Sequence, residues 1–569
     1  MTLPNYLIQN ILEKLINKFR DINYIIEFFQ KFTLISHEWN KHVINKVRFT
    51  LLINQDRYER YPLEKWVFFT EKYQLKYHGV FYHNIDMLSD KINDKINEIA
   101  ISHIDKWKDL IPIFKNIEIV NINMNTRGLV PWEEQFQPLE NVTFLLSINA
   151  DGYSDGDLHQ PDPQWLESVI VQDYFKSLSL QGISFPEFDF NIPIKSKLQK
   201  LELKNIQIDK TSLMNLLKNS PNLVRLSMIQ FSPLQPFNSL NNVLECISVH
   251  LVNLDHITIV SSKIGVSYQD LHQFLNKVKI REMFLKLDII EFQQSYKEVK
   301  KTFILNRNIQ SFVYLPLRQK TSPQIGPFYL LDVWKDLSNI RKLEISHSLN
   351  SCVLHLKELT KLQSITITDC DNVKEYENLC KIIQFNTPSL QKFTICSYES
   401  QPKIWSDILI KNNYIRVISV KSMKIQSLID LLNSNHPTLI SIDVTFLSIP
   451  DENVVIDLIK AIKTNKTIQN LQIIVTSDRV YLKANATYNT VLWYTDILSH
   501  NHTLEQLQFL WIYPMQEYES EELNRVYDNL GKAISNNSAI KNLHFPFGDF
   551  SNDHFSARTK VLNKYFCLF

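Results

Sequence analysis

The 569-residue chain is poor in glycine, with only 9. Enzymes that cradle phosphates in Gly-rich loops use more of it. No Walker loop, G-x-S-x-G elbow or H-E-x-x-H helix is present. Cysteine is also sparse. Cys246, Cys352, Cys370, Cys380, Cys396 and Cys567 are spread out and form no C-x-x-C pair, which fits reduced, buried thiols and not a disulfide framework or zinc site. Charge of one sign is lacking as well: 61 basic residues face 60 acidic ones, a net charge of +1. That balance argues against a dedicated nucleic-acid binder, which needs a basic face. No apolar run reaches membrane-spanning length. Asn5, Gln9, Asn10 and Glu13 interrupt any secretory h-region, and Cys567 is third from the end where a prenylation box needs it fourth. These absences predict an intracellular protein, cytoplasmic or nuclear. They predict no metal, no cofactor, no membrane or nucleic-acid partner, and no catalytic residue.

What is abundant is one short motif. Leu198-Gln-Lys-Leu201-Glu-Leu203 reads apolar, two polar, apolar, one polar, apolar. It returns at Leu223/Leu226/Met228, Leu254/Ile257/Ile259, Ile309/Phe312/Tyr314 and Ile340/Leu343/Ile345. It continues at Leu362/Ile365/Ile367, Leu390/Phe393/Ile395, Ile415/Ile418/Val420, Leu439/Ile442/Val444, Ile468/Leu471/Ile473, Leu504/Leu507/Phe509 and Ile540/Leu543/Phe545. Weaker copies are read at Ile96/Ile99/Ile101, Phe114/Ile117/Ile119, Leu139/Val142/Phe144, Phe175/Leu178/Leu180 and Ile280/Met283/Leu285. The mean spacing is roughly 28 residues, within the range of leucine-rich repeats. The final L-x-L has a period of two, so it predicts a short strand with one apolar face. Between strands the spacing turns helical, as in Leu213/Leu216/Leu217 and Val455/Ile459/Ile462. Each helix is expected to stop at an Asn-rich turn such as Asn219-Ser-Pro221, Asn386-Thr-Pro388 or Asn435-His-Pro437, because Asn tolerates the left-handed conformation. The pattern resembles leucine-rich repeats of the ribonuclease-inhibitor-like type over roughly residues 90–550. The resemblance implies an α/β solenoid with parallel strands on the concave face and helices on the convex face.

Residues flanking the second apolar position should face solvent on the concave side. Candidates for target binding are Lys342, Glu344, Thr366, Thr394, Ser419, Asp443, Gln472 and Gln508. Charges along these positions are few and mixed, which suits hydrogen bonding to a protein and not phosphate capture. Irregular insertions at 121–138, 150–164 and 316–331 are further candidates.

The first 50 residues do not carry the repeat. Pro4 suits the start of a helix. Leu7, Ile8, Ile11, Leu12, Leu15, Ile16 and Phe19 then cover about half its circumference, wider than one neighbour would bury. The run Leu3-Pro4-x-x-Leu7-Ile8-x-x-Ile11-Leu12, followed by Leu34-Ile35-Ser36-His-Glu-Trp39, resembles an F-box; Asn17 to Glu27 is longer and more polar than the usual link. The resemblance implies a small all-α domain that docks on a Skp1-type adaptor within a cullin complex, with Leu3, Pro4, Leu7, Ile8, Ile11 and Leu12 at that interface and Trp39 anchoring the domain. The alternative is a helical cap that closes the repeat array.

The expected organisation is an F-box-like domain at 1–50, a linker or capping region at 51–95, repeats at 96–550 and a C-terminal cap at 551–569. The implied role is a substrate-recognition adaptor of a ubiquitin ligase with an unknown protein target. A non-ligase repeat scaffold and a regulator of small GTPases are the competing readings. Asp151-Gly-Tyr-Ser-Asp155-Gly156-Asp157 begins like a calcium loop, but Tyr153 and Asp162 break the pattern. His500-Asn501-His502 is read as turn chemistry, not as a metal site.

Overall fold

The computed structural model describes residues 43–54, 76–82, 96–101, 117–125, 142–149, 175–185, 196–230, 239–290, 303–315, 338–346, 359–368, 383–396, 404–421, 423–446, 452–475, 486–511 and 520–544. It also describes shorter stretches and single positions, among them 9, 12, 13, 16, 25 and 26. The chain divides into two compact units, Met1–Phe274 and Leu275–Phe569.

In the first unit, strands Arg48–Asn54, Lys76–Tyr82, Ile96–Ile101, Ile119–Asn125, Thr143–Asn149 and Phe175–Gln181 follow one another in a parallel ladder. Lys200–Lys204, Arg225–Ile229 and His256–Ser267 continue it. In the second unit the parallel series is Glu282–Ile290, Ser311–Tyr314, Lys342–Ser346, Ser364–Thr368 and Lys392–Cys396. Val417–Lys421, Ser441–Phe446, Asn470–Val475, Gln506–Trp511 and Asn542–His544 complete that series.

The motif and the ladder coincide. Leu226 pairs with Leu201 on one side and with Ile257 on the other. Ile418, Ile442, Leu471 and Leu507 fall on one line in the same way. In Ser441–Phe446 and Asn470–Val475 every second residue is buried and its neighbours are half-exposed. A one-residue slip would expose Ile442, Val444 and Phe446 together, so burial fixes the register. Each fully buried side chain of this size contributes about 1.5–3 kcal/mol relative to exposure.

Helices close the loops between strands. Lys210–Lys218 starts at Asp209, whose carboxylate accepts the Ser212 amide at 3.0 Å. Leu213, Leu216 and Leu217 form its buried stripe. In the second unit, Ile404–Ile410, Ile425–Asn433, Glu452–Thr464, Ala486–His500 and Ser520–Asn536 each pack on the next. Val455, Leu458, Ile459 and Ile462 are the buried residues that hold Glu452–Thr464 down.

Buried amides tie successive units of the second series together. Asn501 is 2% exposed. Its Nδ2 donates to the carbonyls of Ile462 (2.7 Å) and Asn465 (2.9 Å). Its Oδ1 accepts the amides of Thr503 (2.8 Å) and Leu504 (3.0 Å). Asn537 repeats this against Leu498 and Asn501 at 2.8 and 2.7 Å. Asn465 donates to Leu432, Asn412 to Ile383, and Asn306 to Leu275 and Val278. At one turn a histidine takes the place of the amide: His436 Nε2 meets the Asn412 carbonyl at 2.6 Å. The amides of Thr438 and Leu439 both point at its Nδ1, which makes the ring the Nε2–H tautomer. These clamps are buried, so they satisfy backbone groups that solvent does not reach.

Several expectations are corrected. Ile99 pairs with Val120 and Ile101 with Ile122, so the inward residues of that strand are Val120 and Ile122; Ile117 is buried just ahead of the strand and Ile119 is half-exposed. Val120 pairs with Phe144 and Ile122 with Leu146, which moves the next copy from Val142/Phe144 to Phe144/Leu146. The cause is the adjacency of Ile119 and Val120, which lets two alternating phases fit one sequence; buried contacts choose between them. Residues 121–125, assigned to an insertion, continue this strand. Among the described residues the first strand of the ladder is Arg48–Asn54. Asn386 and Asn435 adopt positive φ, at 50° and 47°, but Asn219 ends its helix at φ −87°.

Candidate interaction surface

The half-exposed face of the second unit is built from two rows. In the first, Lys342 pairs with Ser364, Ser364 with Lys392, Lys392 with Val417, Val417 with Ser441, Ser441 with Asn470 and Asn470 with Gln506. In the second, Glu344, Thr366, Thr394, Ser419, Asp443, Gln472 and Gln508 follow one another through the same pairings. All eight residues selected from the sequence therefore fall on these two neighbouring rows. Neighbouring strands lie about 4.8 Å apart, so the second row presents a polar group at each such step.

The chemistry of the rows changes along the series. Thr366 and Ser419 offer hydroxyls, and Gln472 and Gln508 offer amides. The Ser419 hydroxyl donates to the Asp443 carboxylate at 2.9 Å. The Thr394 hydroxyl is shielded from solvent and has no hydrogen-bond partner among the described residues. On the first unit the corresponding positions are Lys200, Arg225 and His256, in register. There Lys200 spends its charge on Glu202 at 3.4 Å.

Of the six N-terminal residues proposed to meet an adaptor, Leu3, Pro4, Leu7, Ile8 and Ile11 lie outside the described residues. Leu12 is described and is 1% exposed. Positions 9, 12, 13 and 16 are helical. Gln9 bonds Glu13 at 2.9 Å and the Lys46 carbonyl at 3.0 Å, which ties this helix to the turn Ile44–Lys46. Trp39 and residues 150–164 and 316–331 also lie outside the described residues.

His500-Asn501-His502 is a turn: Asn501 is the clamp already described, and His500 Nδ1 meets the Asp496 carbonyl at 2.7 Å. Among the described residues no group of three His, Cys, Asp or Glu is placed to hold a metal, and no helix is long and apolar enough to cross a membrane.

No family model matches the chain, and no curated protein matches it. Among solved structures, a yeast complex of Rad7 and Elc1 is 14% identical with a TM-score of 0.31, covering 81% of this chain and 94% of that one. Leiomodin-1 actin-binding site 2 is 11% identical with a TM-score of 0.21, covering 29% of this chain and 90% of that one. Likeness at this level assigns the chain to no family, and folds are shared among unrelated functions.

Proposed function

We propose that the chain is a substrate-recognition adaptor of an SCF-type ubiquitin ligase. Its parallel ladders are stacked leucine-rich repeats, and the half-exposed rows of the second unit hold the target protein. Its N-terminal segment is an F-box-like domain that docks a Skp1-type adaptor, and through it a cullin complex. No residue of this chain performs chemistry; ubiquitin transfer belongs to other subunits.

The observation that carries the recognition role is the unbroken second row, from Glu344 through Thr366, Thr394, Ser419 and Asp443 to Gln472 and Gln508. A row of donors and acceptors in fixed register is pre-organised, so little ordering entropy is lost on binding. The ligase assignment rests on the F-box resemblance of residues 3–43. Leu12 packs inside the chain, which leaves Leu3, Pro4, Leu7, Ile8 and Ile11 to meet the adaptor.

The test is capture of a purified Skp1-type adaptor by the full chain and by a Leu7→Asp/Ile11→Asp variant. Binding by the wild type and loss in the variant supports the ligase reading. Failure of the wild type to bind refutes it and leaves a repeat scaffold.

A further inference from the structure

We propose that the N-terminal edge of the strands in the second unit is a docking strip for an extended acidic segment of the partner protein. The proposal rests on the target-binding reading of the face and adds the chemistry of what binds there.

The strip is formed by residues that the motif separates and the ladder reunites. Arg341 and Lys342 are adjacent at the start of one strand. Lys392 lies two strands further on in the row of Lys342, through Ser364. Arg416 immediately precedes the next strand, Val417–Lys421. The edge is continuous in the backbone: the Arg341 carbonyl accepts the Gln363 amide (2.7 Å), that of Gln363 the Gln391 amide (3.0 Å), and that of Gln391 the Arg416 amide (2.8 Å). All four cations are exposed, and none forms an ion pair within 4.0 Å among the described residues. Between them stand Gln363 and Gln391, both exposed, and no carboxylate.

Among the described residues the nearest acidic groups bound the strip and do not fill it. Glu344 and Asp443 lie in the second row, one step toward the strand C-terminal ends, and Asp443 already accepts the Ser419 hydroxyl. Glu282 lies two strands before Lys342. The chain's net charge is only +1, yet this edge concentrates four cations that no anion among the described residues compensates within ion-pair distance. The strip's geometry also sets the ligand. At about 4.8 Å per strand, Arg341 and Arg416 are about 14 Å apart, which an extended chain rising about 3.3 Å per residue covers in four or five residues. A segment crossing the strands along this edge would place its carboxylates on the cations and keep clear of Glu344 and Asp443. Complementary charge at such a rim sets encounter rate and register.

The experiment is fluorescence anisotropy with the full chain and a labelled peptide bearing a run of about five glutamates, the length that spans the strip. A lysine-rich peptide is the control. The expected result is saturable binding of the glutamate peptide alone, weakening as salt rises. Arg341→Glu/Lys342→Glu/Lys392→Glu/Arg416→Glu should lower the affinity by ~tenfold or more, with Lys392→Glu/Arg416→Glu giving part of that loss. Lys466→Glu/Lys532→Glu, at exposed positions away from the strip, should leave it unchanged. No binding of the glutamate peptide by the wild type, or an equal loss in the control variant, overturns the proposal. The face reading is separately judged by whether row-two substitutions abolish partner capture, so the two failures are told apart.

Discussion

Replacing Asn501 by alanine should detach the last strands of the second unit. The side chain makes four hydrogen bonds from a position 2% exposed. Its loss strands the Asn465 carbonyl and the amides of Thr503 and Leu504, while the Ile462 carbonyl keeps the Asn465 amide at 3.3 Å. Each buried bond is worth about 1 kcal/mol net, and an orphaned buried group costs about 1–3 kcal/mol. With partial relaxation the total is about 4 kcal/mol, a large share of the 5–15 kcal/mol that holds a typical domain. The effect should be local, because the bonds join only neighbouring turns. Hydrogen exchange measured by mass spectrometry reads it directly. Amides in Gln506–Trp511 and Ala486–His500 should exchange ~10³-fold faster, while those in Lys200–Lys204 stay unchanged. Asn433→Ala, at an exposed helix residue, is the control and should change little. A loss below about 1 kcal/mol, or exchange that rises equally everywhere, would refute the clamp.

Three further outcomes follow from individual contacts. His436→Ala should destabilise by about 2–4 kcal/mol, and His436→Asn by clearly less, because the amide restores one donor and one acceptor; urea melts of the two variants check the order. Tyr494 stacks on Phe509 at 5.4 Å, and its hydroxyl accepts the Phe509 amide at 2.8 Å. Burial pushes its phenol well above the usual tyrosine value, against a smaller opposing effect of that amide. The fold therefore favours the protonated form, so its stabilisation is present below about pH 10 and is lost as pH rises, by about 1.4 kcal/mol per pH unit. Alkaline melts of Tyr494→Phe should lack that loss and be less stable than wild type by about 1–2 kcal/mol at neutral pH. Cys246 is buried, and burial raises its thiol pKa above a lesser lowering by Lys218. In single-cysteine variants it should react with a thiol reagent only after denaturation, whereas the half-exposed Cys396 reacts in the native protein.

From Leu198 onward the fold could be read directly. In most of these motifs the inward residues alternate with polar ones, so one phase fits best, and Leu201, Leu226 and Ile257 pair as their spacing implies. Upstream, Ile119 beside Val120 made two phases equally apolar, and only packing decided between them. The polar rows were also legible, since they are the other half of the same alternation. The basic edge was not: Arg341 and Arg416 sit one residue outside the flanking positions, and their neighbourhood exists only once Gln363 and Gln391 lie between them. The clamps carry a sequence signal of their own. Asn306, Asn412, Asn465, Asn501 and Asn537 each stand three residues before the first apolar residue of a motif, with His436 at the same place before Leu439. Left-handed backbone that ends a helix accounts for only part of the Asn-rich turns. Asn386 and Asn435 adopt it and also accept the amides of Asn413 and Lys466 in the following turn, while the buried asparagines three residues before each motif make the remaining cross-links.

The central claim is that one chain holds two partners through two separate surfaces. Affinity capture from cells, quantified by mass spectrometry, tests it with the wild type, Leu7→Asp/Ile11→Asp and Thr366→Arg/Ser419→Arg/Gln472→Arg, all checked for wild-type circular dichroism. The N-terminal variant should lose the Skp1-type adaptor and cullin and keep the target. The face variant should lose the target and keep the adaptor. Variants that lose both sets together, or neither, would contradict the account.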